Sequence, residues 1–276
     1  MNPHQSQPTS LLALFSSLFK NKQLALQMAR REVIGRYRGS IIGLGWSFFN
    51  PLFMLTVYTF VFTVVFKARW GGAVGGSKTD FAILVFVGLI VHGIFAECIN
   101  RAPTLIISNV NYVKKIIFPL EILPWIACGS AVFHATISLL VLLLAQLLFH
   151  HEIPWTAILF PVVLIPLIFV AMGFSWFLAS LGVYLRDVAQ VTGLFTMILL
   201  YVSPIFYPVS ALPARFQGWL QLNPLTLIIE DGRNTLILGV MPHWDAWLRL
   251  LLVSIVVAWA GYAWFQKTRK GFADVL

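Results

Sequence analysis

Chemistry on a protein needs groups that attack, move protons, hold a metal or cradle a phosphate, and this sequence offers few of them. Gly71 to Thr79, GGAVGGSKT, comes within one residue of a phosphate-binding loop, with Ser77 where that pattern requires its second glycine. No strand pattern precedes it and no soluble helix pattern follows, so it reads as a turn between apolar segments. His150, His151 and Glu152 are adjacent, whereas metal ligands are spread across a scaffold; they read as polar residues at a membrane interface. Glu97 and Arg101 have the spacing of an ion pair on one helix, with a place on a gate or pathway wall as the alternative. His92 and His134 stand singly in apolar runs and read as hydrogen-bonding to a neighbouring helix. No carboxylate ladder of the kind a proton-coupled pump uses is present, and no acid, base and nucleophile converge. If the chain moves something, the energy comes from another chain. Neither a metal nor a cofactor is expected here.

What positions these groups is lipid-embedded helix. Of 276 residues 59% are hydrophobic and 11% charged, more apolar surface than one soluble core can hide. A bilayer core takes about 20 apolar helical residues to cross. The charge-poor runs give six spans, at 39–66, 81–99, 122–149, 154–185, 188–207 and 247–266. The expected fold is therefore all-α and polytopic, a single transmembrane domain. Residues 1–38 carry Leu11, Leu12, Leu14, Phe15, Leu18 and Phe19 at near-helical spacing among cations, which predicts an amphipathic interface helix and not a cleaved signal.

Thirteen of the 19 lysines and arginines fall on one side if the N-terminus is cytoplasmic, so both termini are placed inside the cell. The net charge of +9 then reports flanks that meet anionic lipid, with no need for nucleic acid. Cytoplasmic residues 100–121 are too polar to cross. They carry Leu105, Ile106, Val110 and Val113 between Pro103 and Pro119, which predicts one short amphipathic helix bracketed by breakers. Its apolar face would lie on the bilayer or dock in a partner's groove. Outside, residues 208–246 mix prolines with apolar pieces too short to cross, expected to dip into the membrane as broken re-entrant helices.

RREVIGRYRGSIIGLGWSFFNPL at the first span, NVNYVKKIIFPLEILP between the second and third, YLRDV at Tyr184 to Val188, and SPIFYPVSALP followed by NPL at Asn223 to Leu225 stand in an order that covers nearly the whole chain. Together they resemble the membrane permease of the polysaccharide-export ABC transporter family, whose members export O-antigen, capsule or teichoic acid precursors. That resemblance implies a half-transporter in a bacterial inner membrane. Two copies of the permease would form the pathway, and a separate ATP-binding cassette subunit would bind ATP and magnesium.

It also implies roles for residues. The segment 100–121 would be the helix that couples to the ATPase, through Leu105, Ile106, Asn109, Asn111, Tyr112, Lys114 and Lys115. Arg31, Arg36, Tyr37 and Arg38 would meet the pyrophosphate of a polyprenyl-linked polysaccharide, since guanidinium forks match phosphate oxygens. Fixing topology and binding lipid phosphates would use the same arginines. Trp46, Phe49, Phe53 and Tyr58 in the first span, with Tyr201, Phe206 and Tyr207 at the outer end of the fifth, would offer faces on which sugars stack. Glu230, Asp231 and Arg233 would line an outer gate or sit at the water boundary. A secondary transporter is the competing class, disfavoured because no paired intramembrane charges or inverted repeats are evident.

Overall fold

The computed structural model describes residues 9–65, 78–114 and 118–276. Among them there is helix and no strand. The α-helices are α1 Leu11–Lys20, α2 Lys22–Arg36, α3 Trp46–Phe60, α4 Lys78–Arg101, α5 Val110–Lys114, α6 Leu123–His150, α7 Phe160–Val163, α8 Ile165–Tyr184, α9 Val188–Val202, α10 Ala214–Gln221, α11 Pro224–Arg233, α12 Trp244–Thr268 and α13 Phe272–Val275. Four helical stretches are long and apolar enough to cross a bilayer: Asp80–Thr104, Leu120–His150, Trp155–Tyr184 and Trp244–Val275. The first apolar run begins its helix only at Trp46. Gly39 and Gly43 adopt left-handed backbone, φ 87° and 57°, which turns the chain between α2 and α3 at no Cβ cost. α3 then continues through one π turn, Val61–Val65. α9 stops at Val202 because Pro204 follows, and the residue before a proline avoids helical backbone.

The N-terminal region differs from a single surface helix. Asn21 divides it into α1 and α2, its side-chain amide donating to the Ser17 carbonyl at 2.9 Å and so competing with the helix's own hydrogen bonds. α1 is packed on the bundle. Leu14 is buried, Phe15 meets Phe169 of α8 edge-on, and the Thr9 carbonyl accepts from the Trp259 indole of α12 at 3.0 Å. Trp259 lies nine residues before the end of α12, about 14 Å along the helix, so the start of α1 climbs its side.

α4 is the hub, packed against α3, α6, α8, α9 and α11 and almost wholly buried. Side chains such as Val85, Val87 and Val91 are fully covered there. Its lone His92 donates from Nε2 to the Thr196 carbonyl oxygen of α9 at 2.9 Å, as its sequence setting suggests. α8 and α12 make the tightest pair. A Cβ on Gly261 would lie 2.0 Å from the Gly173 carbonyl oxygen, and one on Gly173 would lie 2.5 Å from the Val257 oxygen. Lipid supplies no hydrophobic drive between helices, so such backbone contact is what holds them. Gly261→Val is expected to cost at least about 3 kcal/mol, read as a fall in the unfolding midpoint of the detergent-purified protein.

Candidate functional site

At one end of the bundle, α2, α4 and α6 bring charge to one place. Glu97 of α4 accepts from an Arg36 guanidinium nitrogen at 2.6 Å and from His134 Nδ1 of α6 at 3.0 Å, with Arg101 further off at 3.6 Å. The expected local pair with Arg101 is thus the weakest of three contacts. Arg101 is instead drawn to Glu32 of α2. The reason is reach: the turn at Asn21 and the glycines after Tyr37 lay α2 across α4 and α6, putting cations from another helix closer than the one on its own. The Tyr37 hydroxyl lies 3.1 Å from His134 Nε2. Burial, the largest influence on that phenol, raises its pKa above the usual value, so it remains a proton donor. His134 Nδ1 lies 3.0 Å from Glu97 and 3.2 Å from the Arg36 guanidinium, so the ring bridges both groups while Nε2 faces Tyr37. Arg31 and Arg38 are exposed and hold no ion pair among the described residues.

The aromatic residues named from sequence come together in part. Phe49 and Phe53 stack along α3 with ring centres 6.3 Å apart. Tyr58 meets Phe206 at 6.2 Å, and Phe206 meets Tyr201 at 6.0 Å, which joins the far end of α3 to the far end of α9. Trp46, Phe49, Phe53 and Tyr201 are exposed. Tyr207 turns back to cap α9, donating to the Val202 carbonyl at 2.6 Å.

The segment 100–121 is not the single helix expected between its prolines. It runs as two 3-10 turns, Ala102–Thr104 and Ile107–Asn109, followed by α5. The Asn109 amide donates to the Leu105 carbonyl at 2.8 Å. That side chain, with the β-branched Ile106, Ile107 and Val110 around it, breaks a continuous helix. Leu105 and Ile106 are buried in the chain's own core, so their apolar face is already covered. Asn111 is exposed, and Tyr112 stacks on Phe118 with ring centres 4.4 Å apart. Lys115 and the side chain of Lys114 lie outside the described residues, as does most of Gly71 to Thr79.

Two anchors fix this loop, and neither was singled out from sequence. Gly182 of α8 abuts it so closely that a Cβ there would lie 2.2 Å from the Pro103 carbonyl oxygen. Glu121, just past Pro119, accepts from Ser17 of α1 at 3.0 Å and from Arg269 at 2.7 Å, while its carbonyl accepts from the Trp176 indole at 3.0 Å. Arg269 also donates to the Phe118 carbonyl at 3.2 Å. The only sequence signal was one acidic residue after Pro119 and a basic tail, which does not say which cation pairs. Arg269→Gln is expected to free the tail from the loop, seen as faster hydrogen exchange at residues 118–122 and 269–276.

Near the other end of α4, Asp231 and Arg233 are buried inside the fold. Asp231 is fully buried and accepts from the His243 ring at 2.6 Å and from its backbone N–H at 3.2 Å. Arg233 is 4% exposed and donates to the Leu84 carbonyl at 3.0 Å and the Ile205 carbonyl at 2.8 Å. Glu230 is half-buried beside it. Arg233 therefore ties α11, α4 and the turn after α9 at one point.

A polytopic helical bundle with charge gathered at one end suits a membrane transporter subunit, and the family match makes it one and not an enzyme. The chain belongs to the ABC-2 type transporter family, whose model matches residues 23–237. It is similar to the O-antigen export system permease protein RfbA of Myxococcus xanthus, 25% identical over 96% of this chain and 99% of that one. Two proteins of the same name from Klebsiella pneumoniae are each 24% identical, over 92% of this chain and 95% of theirs.

Proposed function

We propose that this chain is the membrane half of an ATP-driven exporter that carries a polyprenyl-pyrophosphate-linked polysaccharide of the O-antigen kind from the cytoplasmic to the outer side of a bacterial inner membrane. Two copies form the pathway, each with six spans and both termini in the cytoplasm. A separate ATP-binding cassette subunit holds ATP and magnesium and pushes on residues 100–121. The observation that carries the substrate is the exposed aromatic series from Trp46 through Phe49 and Phe53, continued by the Tyr58, Phe206 and Tyr201 contacts. Aromatic rings bind pyranose faces weakly and repeatedly, which suits a moving glycan chain. It is read together with relatives named for O-antigen export that match almost end to end.

At the mouth, Arg31, Arg36, Tyr37 and Arg38 receive the pyrophosphate. Arg36 starts from its pair with Glu97, so the headgroup must outcompete one carboxylate for it. Replacing Arg36 and Arg38 together with glutamine is expected to cut glycan export at least tenfold while membrane insertion and ATPase assembly persist; undiminished export would remove them from substrate capture. Capsule or teichoic acid precursors share the headgroup chemistry. The lipid-linked glycan that accumulates in the cytoplasm on deletion of the chain decides between them.

A further inference from the structure

Beside the charged mouth lies an apolar groove of about 440 Å³, between α2, the turn before α3 and the cytoplasmic third of α6. Leu26, Val33 and Ile34 of α2, Leu44 of the turn and Phe133 of α6 line it, with Arg30 at its edge. The volume falls within the range of about 300–1,000 Å³ of ligand pockets. Its floor exists because α2 and α6 cross at small residues: a Cβ on Gly129 would lie 3.1 Å from the Ala29 Cβ. Leu26, Ile34 and Leu44 are left 73%, 45% and 47% exposed, so the groove's apolar rim has no cover from the chain itself.

The charge around it is unbalanced. Arg30, Arg31 and Arg38 hold no ion pair among the described residues, while Arg36 is tied to Glu97. A phosphodiester lipid brings one negative charge to such a site, and a diphosphate brings at least two. We infer that the groove seats the first part of the apolar chain of a diphosphate-linked amphiphile, Arg30 meeting the phosphate at the point where the chain enters. This rests on the reading of the substrate as a lipid-linked glycan and adds where the lipid goes: against α2 and α6, apart from the aromatic face on α3 and α9. The carrier lipid would then be captured beside the pathway, at the membrane's inner surface, before the linked glycan crosses.

The test uses the complete transporter, permease with its ATPase, in lipid nanodiscs. The probe is a polyprenyl diphosphate bearing a photoactivatable diazirine on its chain, with adducts mapped by mass spectrometry. Adducts on residues 26–44 and 129–133 are expected. Excess unlabelled polyprenyl diphosphate should reduce them tenfold, and equal phosphatidylglycerol should not. Leu44→Trp, or Ile34→Trp if the first fails to assemble, fills the groove and should reduce those adducts at least fivefold; Arg30→Gln should weaken competition by the diphosphate. Adducts confined to other helices would overturn the groove and leave the substrate reading standing. Equal competition by phosphatidylglycerol would overturn it as well, making the groove a general lipid contact. No adduct anywhere on the chain would remove the lipid-linked substrate itself.

Discussion

Arg233→Met should lower the stability of the purified permease by about 3–5 kcal/mol, the largest single loss expected outside the glycine contacts. Two charge-assisted hydrogen bonds are removed, each worth about 1.5–3 kcal/mol, and the Leu84 and Ile205 carbonyls they served are deep in the fold. Ile205 follows the end of α9, where the chain has no helix to satisfy its oxygen. Methionine fills most of the volume, so the loss reports the donors and not a cavity. Arg233→Lys should fall between, because one ammonium on a flexible stem does not span both carbonyls as a fork does. A thermal unfolding midpoint for Arg233→Met equal to the parent's would show that the outer segment is held by packing alone.

Gly182→Val should separate the two activities of the assembled transporter. The Pro103 carbonyl sits where a side chain on residue 182 would go, so valine forces residues 102–104 away from the C-terminal end of α8. The remaining anchors, Glu121 with Arg269 and with Ser17, lie at the other end of the loop and should keep it attached. Assembly with the ATPase and basal ATP hydrolysis are therefore expected to persist, with glycan export reduced at least tenfold. The informative readout is export per ATP hydrolysed, together with an unfolding midpoint to show that the bundle is intact. Export per ATP unchanged in an assembled complex would mean that contact between loop and α8 carries no force.

How legible this was depends on whether a property is local. Apolar runs are local: α4, α6, α8 and α12 lie where composition alone puts them, since burial in lipid is decided residue by residue. Breaks inside those runs were harder to see. Gly39 and Gly43 end the interface region in a turn, and Asn21 splits it, through backbone and side-chain preferences that hydropathy does not register. Partner choice was hidden almost entirely. Glu97 has Arg101 at helical spacing, yet Arg36, 61 positions away, is its nearest cation. Glu121 and Arg269 are 148 positions apart. Only the turns between helices bring these together, and sequence spacing contains no trace of them. Gly182 is similar: one glycine among several in apolar helices, distinguished only by what touches it.

The central proposal is mechanical: this chain moves substrate only when a second subunit hydrolyses ATP against residues 100–121. The direct test is transport of a lipid-linked glycan in sealed proteoliposomes containing the chain alone, or the chain with its ATP-binding subunit, with and without ATP and with and without an imposed ion gradient. Net uphill movement is predicted only with both proteins and ATP present. Uphill movement by the chain alone, driven by the ion gradient, would contradict the account.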